Sequence, residues 1–77
     1  MRHKLLDTVV LTRNIPFHGL LTGDLGTIVE MYGSDAFEVK FVTASGRTGA
    51  LVILQAEDIR SIEDTDLIAV RRLGRTA

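Results

Sequence analysis

Three serines, two histidines and a run of carboxylates are the side chains in this 77-residue sequence that could carry chemistry. A nucleophilic centre needs a serine beside a base, and the base beside an orienting group. Ser34, Ser45 and Ser61 fall at turns or strand ends. His18 is the only plausible base, with Asp24 as a possible orienter. No spacing ties these three kinds of residue together, so no catalytic residue is expected. A metal site needs convergent ligands. His3 and His18 lie fifteen positions apart, and Glu57, Asp58, Glu63, Asp64 and Asp66 gather near the C-terminal end. Asp64-Thr-Asp66 lacks the glycine and the terminal glutamate of a calcium loop. The carboxylates therefore read as a solvated acidic patch, with no metal and no cofactor. The sequence has no cysteine, which excludes disulfides and thiolate chemistry.

Phosphate recognition finds little support. Neither glycine-rich phosphate signature, G-x-x-x-x-G-K or G-x-G-x-x-G, occurs. Gly46-Arg-Thr-Gly49 has the G-x-x-G spacing of a KH loop, but that loop joins two helices. Here it lies between strand-like runs, so it reads as a hairpin turn with an exposed Arg47. Nine basic and ten acidic residues leave a net charge of −1, which offers no bulk attraction for a polyanion. Four aromatic residues, three of them Phe, make a poor platform for stacking bases or for a proline-rich peptide. Arg71, Arg72 and Arg75 form a short basic end after the acidic stretch.

The elements that would position these groups are short. Thr8 to Thr12 is β-branched and reads as a strand, with Val9 and Leu11 on one face. Pro16 breaks the chain after it and favours an extended Ile15. Gly23-Asp24 marks a turn. Thr27 to Tyr32 is the next strand, read with Thr27, Val29 and Met31 on one face. Ala36 to Val42 alternates, placing Phe37, Val39 and Phe41 inward and Glu38 and Lys40 outward. The two runs predict a hairpin around Gly33-Ser34-Asp35. Val9, Leu11, Val29, Met31, Val39 and Phe41 are the expected core. Thr48 to Leu54 is a fourth strand, apolar on both faces. Gln55 to Asp58 predicts one helical turn, and Ile59 to Ile62 a fifth strand.

Five short strands with frequent turns predict an all-β fold, a small five-stranded SH3-like barrel over residues 1–62. Residues 63–77 form a partly ordered C-terminal extension. Ser61 and Asp64 have capping-box spacing, which would start a helix. Asp66 to Arg71 could equally add a sixth strand, which β-branched Ile68 and Val70 favour. Gly74 to Ala77 is expected to fray.

Asp7-Thr-Val-Val-Leu11, Ile15-Pro16, Gly19-Leu20, Gly23-Asp-Leu-Gly-Thr-Ile-Val29, Phe37-Glu-Val-Lys-Phe41 and Gly46-Arg-Thr48 follow one another in a recognisable order. Over Leu5 to Ile62 the chain resembles the bacterial Domain of Unknown Function 4926 family. That resemblance implies a hairpin-rich SH3-like barrel and brings no catalytic residues with it. The chain departs from the pattern at Lys40, where an acidic residue is expected, and in its long tail. Gly23 to Val29 also resembles the turn and strand of KOW modules, which lie near RNA. Such a module would gather Lys4, Arg13, Lys40 and Arg47 on one face.

The reading these observations favour is a non-enzymatic binding or accessory module for a protein partner. Nucleic-acid binding of KOW type is the alternative. Ile15, Phe17, Leu20 and Leu21 crowd the first loop, where they either cover the barrel mouth or meet a partner. Leu67 and Ile68 are the matching candidates in the tail. A chain of this size without staples has a thin margin of stability. A homodimer or small homo-oligomer is therefore expected, with the tail or the fourth strand taking part. The longest apolar run, Ala50 to Leu54, is far too short to cross a membrane. No signal peptide is read at the N-terminus, so a cytoplasmic location is expected.

Overall fold

The computed structural model describes residues 3–73; the expectations placed on Gly74 to Ala77, including Arg75, fall outside them. Five strands appear: β1 (Thr8–Leu11), β2 (Leu25–Tyr32), β3 (Ala36–Val42), β4 (Thr48–Gln55) and β5 (Ile59–Ser61). Single 3-10 turns sit at Pro16–His18 and Ala56–Asp58. All pairings are antiparallel, and they build one sheet of order β4-β3-β2-β1-β5. The fold is all-β, as expected. The sheet is barrel-like but not closed, because β4 and β5 do not pair. β5 is three residues long, so its second edge could offer only a bond or two to close the ring.

The core lies on one face of this curved sheet. Val9 and Leu11 of β1, Phe37, Val39 and Phe41 of β3, and Ala50 and Leu54 of β4 all point into it. Alternation decides this in β3, whose Glu38 and Lys40 face outward between buried neighbours. Strand β2 departs from the expected phase. Ile28 pairs with Val39, but the next partners are Glu30 and Glu38, which leaves Val29 as the extra residue of a bulge. Before the bulge Ile28 is the inward residue and is wholly buried. After it Met31 lies opposite Phe37, at the rim and partly exposed. The expected face of Thr27, Val29 and Met31 is therefore corrected to Ile28 and Met31. The physical reason is one added residue, which resets a period of two.

Gly26 sits where the core is tightest. A Cβ added there would stand 2.5 Å from Val39 Cγ1 and 3.0 Å from Phe41 Cε2. Gly23 serves a different purpose: its φ of +97 is a turn conformation that side chains resist.

The first loop folds back on the core. Ile15 and Leu20 exchange backbone hydrogen bonds of 2.9 and 3.1 Å, and Gly19 closes the turn between them with φ of +69. Both apolar side chains are thereby brought into the core cluster. His3 covers another part of it, edge-on to Phe37 with ring centroids 5.4 Å apart.

The tail forms neither expected element. Residues 62–73 contain no strand and no helix. Asp66, not Asp64, accepts the capping bond. The Glu63 amide donates to Asp66 Oδ2 at 2.7 Å, and the Asp66 amide returns to the Glu63 carbonyl at 3.0 Å. That reciprocal pair closes a single turn. Beyond it the chain runs irregularly as a strap over the sheet.

Candidate functional site

The strap lies against β1 and the start of β2, beside the first loop and the β3–β4 turn. Val10 has Leu25 on one side and Arg60 on the other in the strand ladder. Together with Leu20 and Phe41 they form the floor of an open trough of about 680 Å³, and residues 66–73 form its other wall. Val10 is the outward residue of β1, yet it is only 5% exposed because it lies beneath this wall.

Two arginine–aspartate pairs hold the strap in place. At its start, Arg60 donates from Nη1 and Nη2 to the two Asp66 oxygens at 2.9 and 2.8 Å. Near its end, Arg71 Nε donates to Asp24 Oδ1 at 2.8 Å while Nη2 donates to Oδ2. The same Nη2 reaches the Gly19 carbonyl at 2.9 Å, so one side chain joins the strap to two parts of the first loop. A planar guanidinium suits such paired contacts better than an ammonium would.

The electrostatics follow from these bonds. Partial burial would raise the Asp24 carboxyl, but the Arg71 guanidinium and the Leu21 amide outweigh it and hold the group below its usual range. Arg60, helped by the Glu63 amide, lowers Asp66 to about 2. A third pair lies elsewhere. Arg13 Nε donates to Asp58 Oδ1 at 2.7 Å, and this bond lowers Asp58 against the effect of burial. Asp58 also accepts the Gln55 amide at 2.9 Å.

With its polar contacts directed at β5 and the first loop, the strap leaves apolar side chains in solvent. Leu67 is 94% exposed, Val70 96% and Ile68 65%. Phe17, on the first loop, is 91% exposed. Isolated apolar residues at a surface need no explanation, but three within four positions of a bound strap form a patch.

The residues singled out from sequence divide cleanly. Leu67, Ile68, Phe17 and, half exposed, Leu21 face solvent. Ile15 and Leu20 take the other role open to them and cover the core, so they are not available to a partner. Asp24 is not placed as an orienter for His18, since its carboxylate receives Arg71 and the Leu21 amide. The His18 ring stands edge-on to Phe17 instead. Among the described residues no three or more His, Cys, Asp or Glu side chains group to hold a metal ion. Among them, too, no helix is long and apolar enough to cross a membrane.

Sequence reasoning missed the clasp residues Arg60 and Arg71 and the exposed Val70. The Arg71–Asp24 pair spans 47 positions, so no local pattern announces it. The Arg60–Asp66 pair, six apart, was visible only as an arginine close to an acidic cluster.

The model of a family described as domain of unknown function (DUF4926) matches residues 5–61. No curated protein and no solved structure matches the chain.

Proposed function

Because the chain belongs to the domain of unknown function 4926 family, whose description assigns no activity, we propose its role from the surface it presents: a non-catalytic module that binds a protein partner. The observation that carries this reading is the clasped strap, which holds Leu67, Ile68 and Val70 out in solvent. An extension with no anchor would gain by turning such residues inward. Here Arg60 and Arg71 hold it in the opposite orientation, which presents an apolar row on a fixed backbone. Pre-ordering of this kind lowers the entropic cost of binding.

The charge distribution favours a protein over a nucleic acid. Arg13, Arg60 and Arg71 are each paired with a carboxylate, which leaves fewer cations to contact phosphates. Lys4, Lys40 and Arg47 are what remains of the basic set a KOW-like module would use, with Arg13 withdrawn from it.

The test compares the tagged full chain with a Leu67→Asp, Val70→Asp variant, both expressed at endogenous level and nuclease-treated. The expected result is a discrete protein retained by the parent chain and lost from the variant, with circular dichroism unchanged. In parallel, both are titrated with RNA and DNA at low salt. Micromolar binding that collapses with added salt and ignores the strap variant would replace this reading with the KOW-like one. Equal retention by both chains would also overturn it.

A further inference from the structure

Strand β4 is an edge strand without the usual protection. Among the described residues it pairs with β3 on one side only. Its eight residues, Thr48–Gln55, include no charge and no proline. The one irregularity in its pairing lies at its start, near Val42. Natural edges are normally blunted by lysine, proline or a central bulge, because open N–H and C=O groups recruit another strand.

The phase of the open groups can be read from the bonds at its end. The Ala56 amide donates to the Asp35 carbonyl at 2.9 Å, toward β3. The Gln55 amide turns the other way and donates to Asp58. Antiparallel ladders alternate. Ala50, Val52 and Leu54 therefore direct their backbone groups at β3, while Leu51 and Ile53 direct theirs at the open edge. The side chains of these same two residues stand on the outer face, 49% and 58% exposed.

We propose that the open edge of β4 pairs antiparallel with the same edge of a second copy, about a two-fold axis at Val52. In this register Leu51 faces Ile53 of the second copy, and Ile53 faces its Leu51. Four backbone hydrogen bonds form from groups that now meet solvent. A shift that centres on Ile53 would bring Leu51 opposite Gln55, whose amide Asp58 already holds. The charges on β3 leave the Val52 centre unopposed. Lys40 lies beside Leu51 and Glu38 beside Ile53 on β3. The two-fold therefore puts Lys40 of each copy in line with Glu38 of the other, with two apolar side chains between them and about 14 Å apart, a distance at which salt screens most of the attraction. With β4 free of charge, no like charges meet at the seam. The result is one continuous ten-stranded sheet. A contact made by one strand edge is at the small end of specific interfaces, the range of weak and transient pairs. The strap reaches β4 only at its start, where Leu73 lies near Gly49; Leu51 and Ile53 do not line the trough, so substitutions there test the edge without touching the strap.

Sedimentation of the full chain from micromolar to millimolar concentration should show a monomer–dimer equilibrium. Leu51→Lys and Ile53→Glu should each weaken association about tenfold or more, with unchanged circular dichroism. Mixing the two variants should restore it, because the lysine then faces the glutamate and the remaining Leu and Ile face each other. Val52→Cys, the sole cysteine in the chain, should oxidise to a linked dimer, since non-bonded pairs sit about 4.5 Å apart at Cα. A chain that stays monomeric throughout would overturn the proposal. So would a dimer that Arg71→Ala abolishes and Leu51→Lys leaves intact, which would place the contact at the strap. A dimer in which Val52→Cys fails to link would overturn the register.

Discussion

Arg71 and Asp24 are 47 positions apart and meet through both oxygens of the carboxylate. Asp24 lies in the turn that enters β2, and Arg71 lies near the far end of the strap. Their contact decides which side of the strap meets the sheet. Arg71→Ala should release residues 66–73 while the core, which contains none of them, stays folded. A partly exposed ion pair contributes little, so global stability should fall by about 1 kcal/mol or less. Hydrogen exchange should accelerate across the strap, and chymotrypsin, whose sites there are untouched by the substitution, should cut there sooner. Unchanged exchange would show that Arg71 does not hold it.

Gly26 and Gly23 should both resist alanine, for different reasons. At Gly26 the new Cβ would press on Val39 and Phe41, an overpacking that costs about 1–3 kcal/mol. At Gly23 there is space but a positive φ, and alanine should cost about 1 kcal/mol. Gly23→Asn should recover part of that loss, because asparagine tolerates positive φ. Gly26→Asn should be worse than alanine. Urea melts of the four variants separate the two causes.

Phe41 and Ile28 are buried, while Met31 sits at the rim. Phe41→Ala should cost about 3–5 kcal/mol and Ile28→Ala about 2–5, enough to unfold a small domain. Met31→Ala should cost much less, since solvent already reaches the side chain. A Met31→Ala loss equal to that of Ile28→Ala would contradict the bulge at Val29.

Stability should decline on the acid side through three carboxylates. Asp24, Asp58 and Asp66 all titrate below their ordinary values when folded. Each therefore favours the folded state fully above the unfolded carboxylate range of about 4. That contribution is lost as pH falls through the folded values, with Asp66 last at about 2. Denaturant midpoints recorded between neutral pH and pH about 2 should fall mainly below pH about 4. A variant with Arg13, Arg60 and Arg71 replaced by alanine should show a flatter acid limb.

How much of this was legible beforehand depended on the range of the interaction responsible. The alternation of Phe37, Val39 and Phe41, the glycine at the hairpin turn and the Ala56–Asp58 turn before the last strand are all local. A side-chain period of two and a backbone preference act within a few residues, so the sequence by itself determined an all-β chain with its strands close to where they stand. Other features needed contacts between distant segments. The bulge at Val29 exists only against β3, and it moved the inward face of β2 to Ile28. Apolar residues on both sides of Thr48–Gln55 fit a central strand as well as an edge strand; the order of the sheet made it an edge and left Leu51 and Ile53 in solvent. Ile15 and Leu20 look like Phe17 and Leu21 in the sequence, but closure of the first loop buried one pair and exposed the other. The strap shows this most clearly. Its own residues favour a strand weakly, and a weak local preference gives way to two arginine–aspartate pairs whose members only the folded chain brings together.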